Sequence, residues 1–177
     1  NIAWSFGEFD HFEPAYSLEV KGLEPHYRSF GIGVPLVAVR KLQPEATNQI
    51  EGFLPGIEQT CAATAFMRIE PPRDEGGTAL VYVADFELND PTRIDELTVG
   101  DRTVPLETDF TTPLAYMISK APSPASFRAM LNVDIWAHQE GLHMLQPYEK
   151  DRIPVVFVHG LMSSPMTWLP MLNTLMG

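Results

Sequence analysis

IPVVFVHGLMSSPMTW, residues 153–168, joins an unbroken apolar run to a short polar loop and then to the start of a helix. Val155, Val156, Phe157 and Val158 follow one another without alternation. That pattern predicts a strand buried on both faces, as in a parallel sheet covered by helices. His159-Gly160 ends the run, and a glycine there lets the backbone turn sharply and approach a ligand closely. Thr167 is a candidate cap for a helix whose Trp168, Met171, Leu172, Leu175 and Met176 share one face. Pro170 falls in its first turn, where the missing N–H costs no intrahelical bond. Strand, polar loop and amphipathic helix make the βα unit of an α/β sheet, a class that places ligands at the carboxyl ends of its strands. The amides of Leu161 and Met162 precede any helix and need an acceptor. A developing oxyanion supplies one, and a good donor of this kind is worth about 3 kcal/mol in the transition state.

Upstream the pattern changes. Residues 1–50 mix aromatics, Pro and Gly with short apolar runs and read as an arm that packs on something else; VPLVAVR (34–40) is its one strand candidate. The glycines of FGIGVP lack the spacing and the Lys-Ser/Thr of a phosphate loop, and read as a turn. Residues 51–115 read as short strands between turns: CAATAFMRI (61–69), the alternating TALVYVADFELND (78–90), and TRIDELTVGDRTVPLE with a turn at Gly100-Asp101. Strands at this spacing predict a small β-sandwich. Residues 116–139 read as a helical linker, with PLAYMISKA and SPASFRAMLNVDIWA as its helices, and residues 140–177 as the start of a second, α/β domain.

The chain has 177 residues and a formal net charge of -11. An acidic surface with no Lys/Arg-rich patch excludes nucleic acid as a partner. No apolar stretch reaches the ~18 residues of a membrane span. The chain opens on Asn1 rather than Met, so membrane association is expected only through a signal or anchor removed or missing at the N-terminus. The single cysteine, Cys61, borders an apolar run and reads as a packing residue.

Other residues invite chemistry and read more simply without it. Ser163 and Ser164 lie outside any G-x-S-x-G context and read as a capping turn. His138 and His143, in HQEGLH, do not have the HExxH spacing that puts two ligands on one helical face, so no metal site is expected. His11 and His26 have no partner near in sequence and read as surface or packing residues. Asp85, Glu87, Glu107 and Asp109 read as solvated sheet edges rather than a glycosidase pair, with Asp109 placed to accept backbone bonds in the turn TDFTTP.

VVFVHGLMSSPMTW resembles the third strand, His-Gly oxyanion loop and first helix of α/β-hydrolase lipases and esterases. The wider stretch, from TVPLETDFTTPLAYMI through GLHMLQPYEKDRIPVVFVHG, resembles large bacterial proteins of this class, some carrying lipoprotein-type signals. The resemblance implies that Leu161 gives its backbone N–H to the oxyanion, with Met162 as a second loop donor. It implies that His159 and Gly160 shape the loop, and that Trp168 packs the helix beneath it. The expected activity is hydrolysis of carboxylic esters or lipids by a serine hydrolase, with an ester or acyl small molecule as substrate and no cofactor. G-x-S-x-G is absent, so the nucleophile, acid and base are expected outside these residues, and the chain alone is expected to be inactive. The alternative is a non-catalytic binding or scaffolding module attached to a degenerate hydrolase-like domain.

Overall fold

A computed structural model describes residues 6–40, 52–53, 58–70, 82–120, 143–144, 150, 152–158, 160 and 165–177. The strands run β1 (Phe9–Pro14), β2 (Arg28–Ser29), β3 (Val34–Arg40), β4 (Gly52–Phe53), β5 (Thr60–Glu70), β6 (Val83–Asn89), β7 (Glu96–Val99), β8 (Arg102–Pro105), β9 (Thr108–Asp109) and β10 (His143–Met144). The α-helices among the described residues are α1 (Thr111–Lys120) and α2 (Leu169–Met176).

The central sheet is antiparallel, in the order β1-β3-β5-β6. The expected N-terminal arm thus supplies β1 and β3 to the same sheet as β5 and β6. Each strand of the sheet has two chemically distinct faces. One carries Phe12, Leu36, Ala38, Cys61, Ala63, Phe86 and Leu88, and its buried centre joins Phe9. The small side chains of Ala38, Cys61 and Ala63 let the sheet bend inward over this face. Phe6, in the 3-10 turn before β1, reaches Phe12 on one edge strand and Phe86 on the other, with ring centroids 5.9 Å and 5.6 Å away. The edges of a flat four-stranded sheet stand roughly 14 Å apart at the usual strand spacing, so one ring touches both only because the sheet is curled into a half-barrel.

The opposite face holds Val37 and Val39 against Tyr116 of α1. It is also unusually polar, and its hydroxyls are satisfied by carbonyls of the covering elements. Thr60 Oγ1 donates to Pro113 O at 2.7 Å and Thr64 Oγ1 to Glu107 O at 2.6 Å. Leu114 and Met117 of α1 pack with Leu23, and Leu169 and Leu172 of α2 close over them. β7 and β8 form a hairpin turned by Gly100 at φ 61°, a left-handed conformation that favours glycine. Gly31 is required for a different reason: a Cβ there would meet the Pro105 carbonyl oxygen at 2.2 Å.

This architecture corrects the expected one. The β-rich part is a single curled antiparallel sheet with small satellite ladders, not a sandwich of two sheets. Nor do the described residues contain the start of an α/β-hydrolase parallel sheet. Residues 153–158 belong to no strand, and Ile153 and Val158 are 91% and 78% exposed. A run of Val and Phe signals a need for burial on both faces, but burial requires flanking strands, and none pairs with it among the described residues. Among the described residues, parallel pairing is confined to the two-residue β4–β10 ladder and an isolated bridge between Ile32 and Leu106. The helix also begins differently. Pro165–Trp168 is a 3-10 turn, and Trp168, not Thr167, occupies the cap position, without a side-chain capping bond. The expected helix at 123–137 lies outside the described residues.

Leu88 is 1% exposed at the centre of the apolar face. Leu88→Ala is expected to destabilise the fold by about 3 kcal/mol, read as a lowered urea midpoint at unchanged slope. Cys61 Sγ lies 3.8 Å from the Ala38 carbonyl, and burial raises its thiol from 9.0 to about 11, outweighing the pull of nearby Arg40. The native state therefore retains a proton that the unfolded chain releases, so stability present below pH 9.0 should fall as pH rises toward about 11. In the native protein at pH 8, Cys61 should resist iodoacetamide, and unfolding should expose it to rapid labelling.

Candidate functional site

The loop singled out by the sequence is described only at its flanks. His159, Leu161 and Met162 lie outside the described residues. Gly160 is exposed, and a Cβ placed on it would meet nothing within 4 Å. Trp168 is half-buried, its ring 5.5 Å from that of Phe157 at an interplanar angle of 44°. The end of the apolar run and the start of the helix therefore fold back on each other across the loop. Arg152 anchors the beginning of the run, donating from Nη2 to Thr92 Oγ1 at 2.5 Å. Thr92 is itself fixed by Asp90, whose Oδ1 accepts from the Thr92 N–H at 2.9 Å and from its hydroxyl at 2.6 Å. The run is thus held near both ends, and no strand among the described residues pairs with it between them. Val155 and Val156 are exposed there, as are Met171 and Leu175 on α2.

A second constellation gathers where α1 begins. Asp109, 3% exposed, accepts the Thr112 N–H at 2.8 Å and the Thr112 hydroxyl at 2.7 Å. His26 Nε2 stands 3.1 Å and 3.0 Å from the two carboxylate oxygens. The backbone bond closes the turn that starts the helix, so Asp109 acts as its cap. The neighbouring hydroxyl, Thr111 Oγ1, accepts the Tyr27 N–H at 2.8 Å and donates to Asn173 Oδ1 at 2.9 Å. Asn173 Nδ2 in turn donates to Pro25 O at 2.7 Å. Loop 25–27, α1 and α2 are thereby joined by one chain of directional bonds.

Glu107, expected at a solvated edge, is instead buried. Its Oε1 accepts from the Tyr16 hydroxyl and, at 3.1 Å, from Arg28 Nη2. The Arg28 guanidinium also lies 3.9 Å from the centroid of the Tyr16 ring. Asp85 is exposed and Glu87 pairs with Arg68 at 3.5 Å. Glu87, Glu107 and Asp109 each face a different basic side chain, Arg68, Arg28 and His26. His11 Nε2 lies 3.3 Å from the Tyr116 hydroxyl. No cluster of three or more His, Cys, Asp or Glu suited to a metal occurs among the described residues.

In the second constellation Thr112 Oγ1 lies 3.4 Å from His26 Nε2. His26 faces a carboxylate and a threonine hydroxyl whose proton is already committed to that carboxylate, so this group orders structure. No family profile, curated protein or solved structure matches the chain. What the structure shows on either side of residues 159–164 is apolar surface, on the run before them and on the helix after them.

Asp109→Ala removes the cap and leaves the Thr112 amide and hydroxyl without their acceptor. The expected loss is about 2 kcal/mol, seen as a melting temperature lower by roughly 4–8 °C. Asp85→Ala, on the exposed sheet edge, should change it by no more than about 2 °C.

Proposed function

We propose that the chain belongs to a serine hydrolase acting on carboxylic esters or lipids, and that it contributes the oxyanion loop, residues 159–162, to the acyl site. The observation that carries this reading is the mostly exposed apolar run 153–158, tethered near both ends and without a strand partner among the described residues, together with the exposed Met171 and Leu175 of α2. Apolar surface left exposed on an extended run of Val and Ile and on the helix that follows favours packing against more protein. The His-Gly loop resemblance of residues 159–162 supplies the chemistry.

In the reaction, a serine outside these residues attacks the acyl carbon, and its proton passes to a base. The carbonyl oxygen becomes an oxyanion, and the amides of Leu161 and Met162 donate to it. The alkoxide leaves with the transferred proton, giving an acyl-enzyme. Water adds to the acyl carbon, the serine is released, and the carboxylic acid departs. The loop donors act on the oxyanion more strongly than on the ester carbonyl, and only that difference accelerates the reaction.

A second observation favours a binding or scaffolding module. On the inward-curving face of the sheet, Val34, Met67, Ile69 and Phe86 are exposed, and Phe86 meets the Phe6 ring. One experiment separates the two readings: treatment of the protein, as isolated from its source, with a fluorophosphonate probe, followed by peptide mapping and assay on p-nitrophenyl butyrate. The hydrolase reading expects label on one serine other than Ser163 and Ser164, and turnover of the ester. A folded protein that neither labels nor turns over the ester overturns it and leaves the binding module.

A further inference from the structure

β6 (Val83–Asn89) is an edge strand: β5 pairs with its inner side, and no strand among the described residues pairs with its outer side. Backbone N–H and C=O groups along such an edge are open to a further strand, and proteins ordinarily blunt an edge of this kind with charge. Here the charge lies on one face only. Ala84, Phe86 and Leu88 stand on the inward-curving face of the sheet, and Val83, Asp85 and Glu87 on the other. Phe86 is 54% exposed, and its neighbours Met67 and Ile69 on β5 are exposed too, so the apolar face continues past the buried Leu88 to the far end of the strand pair. On the polar face, Arg68 stands opposite Asp85 and donates to the Glu87 carboxylate at 3.5 Å and to the Thr98 carbonyl at 3.3 Å. One cation thus serves Asp85 and Glu87, and Asp85 is exposed.

A strand added at this edge alternates its side chains in step with β6. Those over the inward-curving face meet Phe86 and, beyond it, Met67. Those on the other face meet Asp85 and Glu87. The first set must therefore be apolar and the second basic. A second copy of this chain does not meet that requirement. Pairing β6 with the same strand of another copy sets Asp85 and Glu87 against the same carboxylates, and like charges directly opposite one another destabilise a ladder. The net charge of -11 on each copy opposes their approach as well.

We infer that the outer edge of β6 is a docking edge for an extended segment of a partner protein in which apolar residues alternate with Lys or Arg, added as a fifth strand of the curled sheet. Backbone hydrogen bonds supply affinity, Phe86 and Met67 receive the apolar side chains, and Asp85 and Glu87 pair with the basic ones. The inference concerns binding alone and does not rest on the ester-hydrolase reading.

The test uses the complete protein and short fluorescein-labelled peptides, read by fluorescence anisotropy. The probe alternates Lys and Val. Its controls are a block peptide of the same composition, lysines first, and the alternating peptide N-methylated along its backbone. The alternating peptide should bind at least about tenfold more tightly than either control, and amide hydrogen exchange of the protein should slow within β6. Asp85→Lys, in a protein that still melts cooperatively, should weaken binding about tenfold, because it turns an attractive cross-strand pair into a repulsive one. If Asp85→Lys does not fold, Asp85→Asn, which removes the charge alone, should weaken binding about threefold. No binding of the alternating peptide overturns the inference. Equal affinity for the alternating and block peptides overturns it too, since it means adhesion to an acidic chain without strand addition. So does slowed exchange confined to residues outside β6. Dimerisation of the unaltered protein with protection of β6 makes a second copy the occupant and overturns it as well.

Discussion

The hydroxyl of Thr111 is the hinge on which the described structure turns. It accepts the Tyr27 amide and donates to Asn173, so a single oxygen ties an early loop, the first α-helix and the last one. Beside it, Asp109 starts the same helix and holds His26. Buried polar groups are costly when unpaired, and a chain of paired ones specifies a single arrangement where apolar packing alone would permit several. The apolar contacts of Leu23, Leu114, Met117, Leu169 and Leu172 bring the elements together, and the polar chain decides how they sit.

The curled sheet solves a different problem. A four-stranded sheet must bury two faces with little material. α1 and the β9 turn cover one face. The other covers itself by bending: alanines and Cys61 at its centre leave room, and Phe6 spans its edges. The faces diverge toward the far end of β5 and β6. Arg68 and Glu87 pair on the polar side, while Met67, Ile69 and Phe86 stand exposed on the other.

Much of the sheet was legible because its strands alternate. β3, β5 and the β7–β8 turn lie close to where the pattern of apolar residues and Gly100-Asp101 place them, and the pattern for 78–90 contains β6. β1 was not legible: Asp10, His11 and Glu13 break up its apolar residues, and a bulge between Phe9 and His11 disturbs the alternation. The burial of Glu107 was hidden for a different reason. Its partners Arg28 and Tyr16 lie 79 and 91 positions away, and no local window shows them. The apolar run 153–158 misled about fold because a sequence states what a segment needs, not whether its neighbours are present. Of the residues proposed at the acyl site, Gly160 and Trp168 have described positions, and the loop between them was readable as a motif only.

The bond from Asn173 to the Pro25 carbonyl spans 148 positions along the chain. During synthesis, at roughly 5–20 residues per second, the sheet and α1 emerge well before α2 is made. Throughout that interval Thr111 lacks its acceptor, and the apolar surface of Leu114 and Met117 lacks its cover. Contacts of such long sequence separation form slowly, because a large loop must close before any of them is rewarded. The nascent β-rich unit therefore keeps this surface open until α2 arrives to cover it.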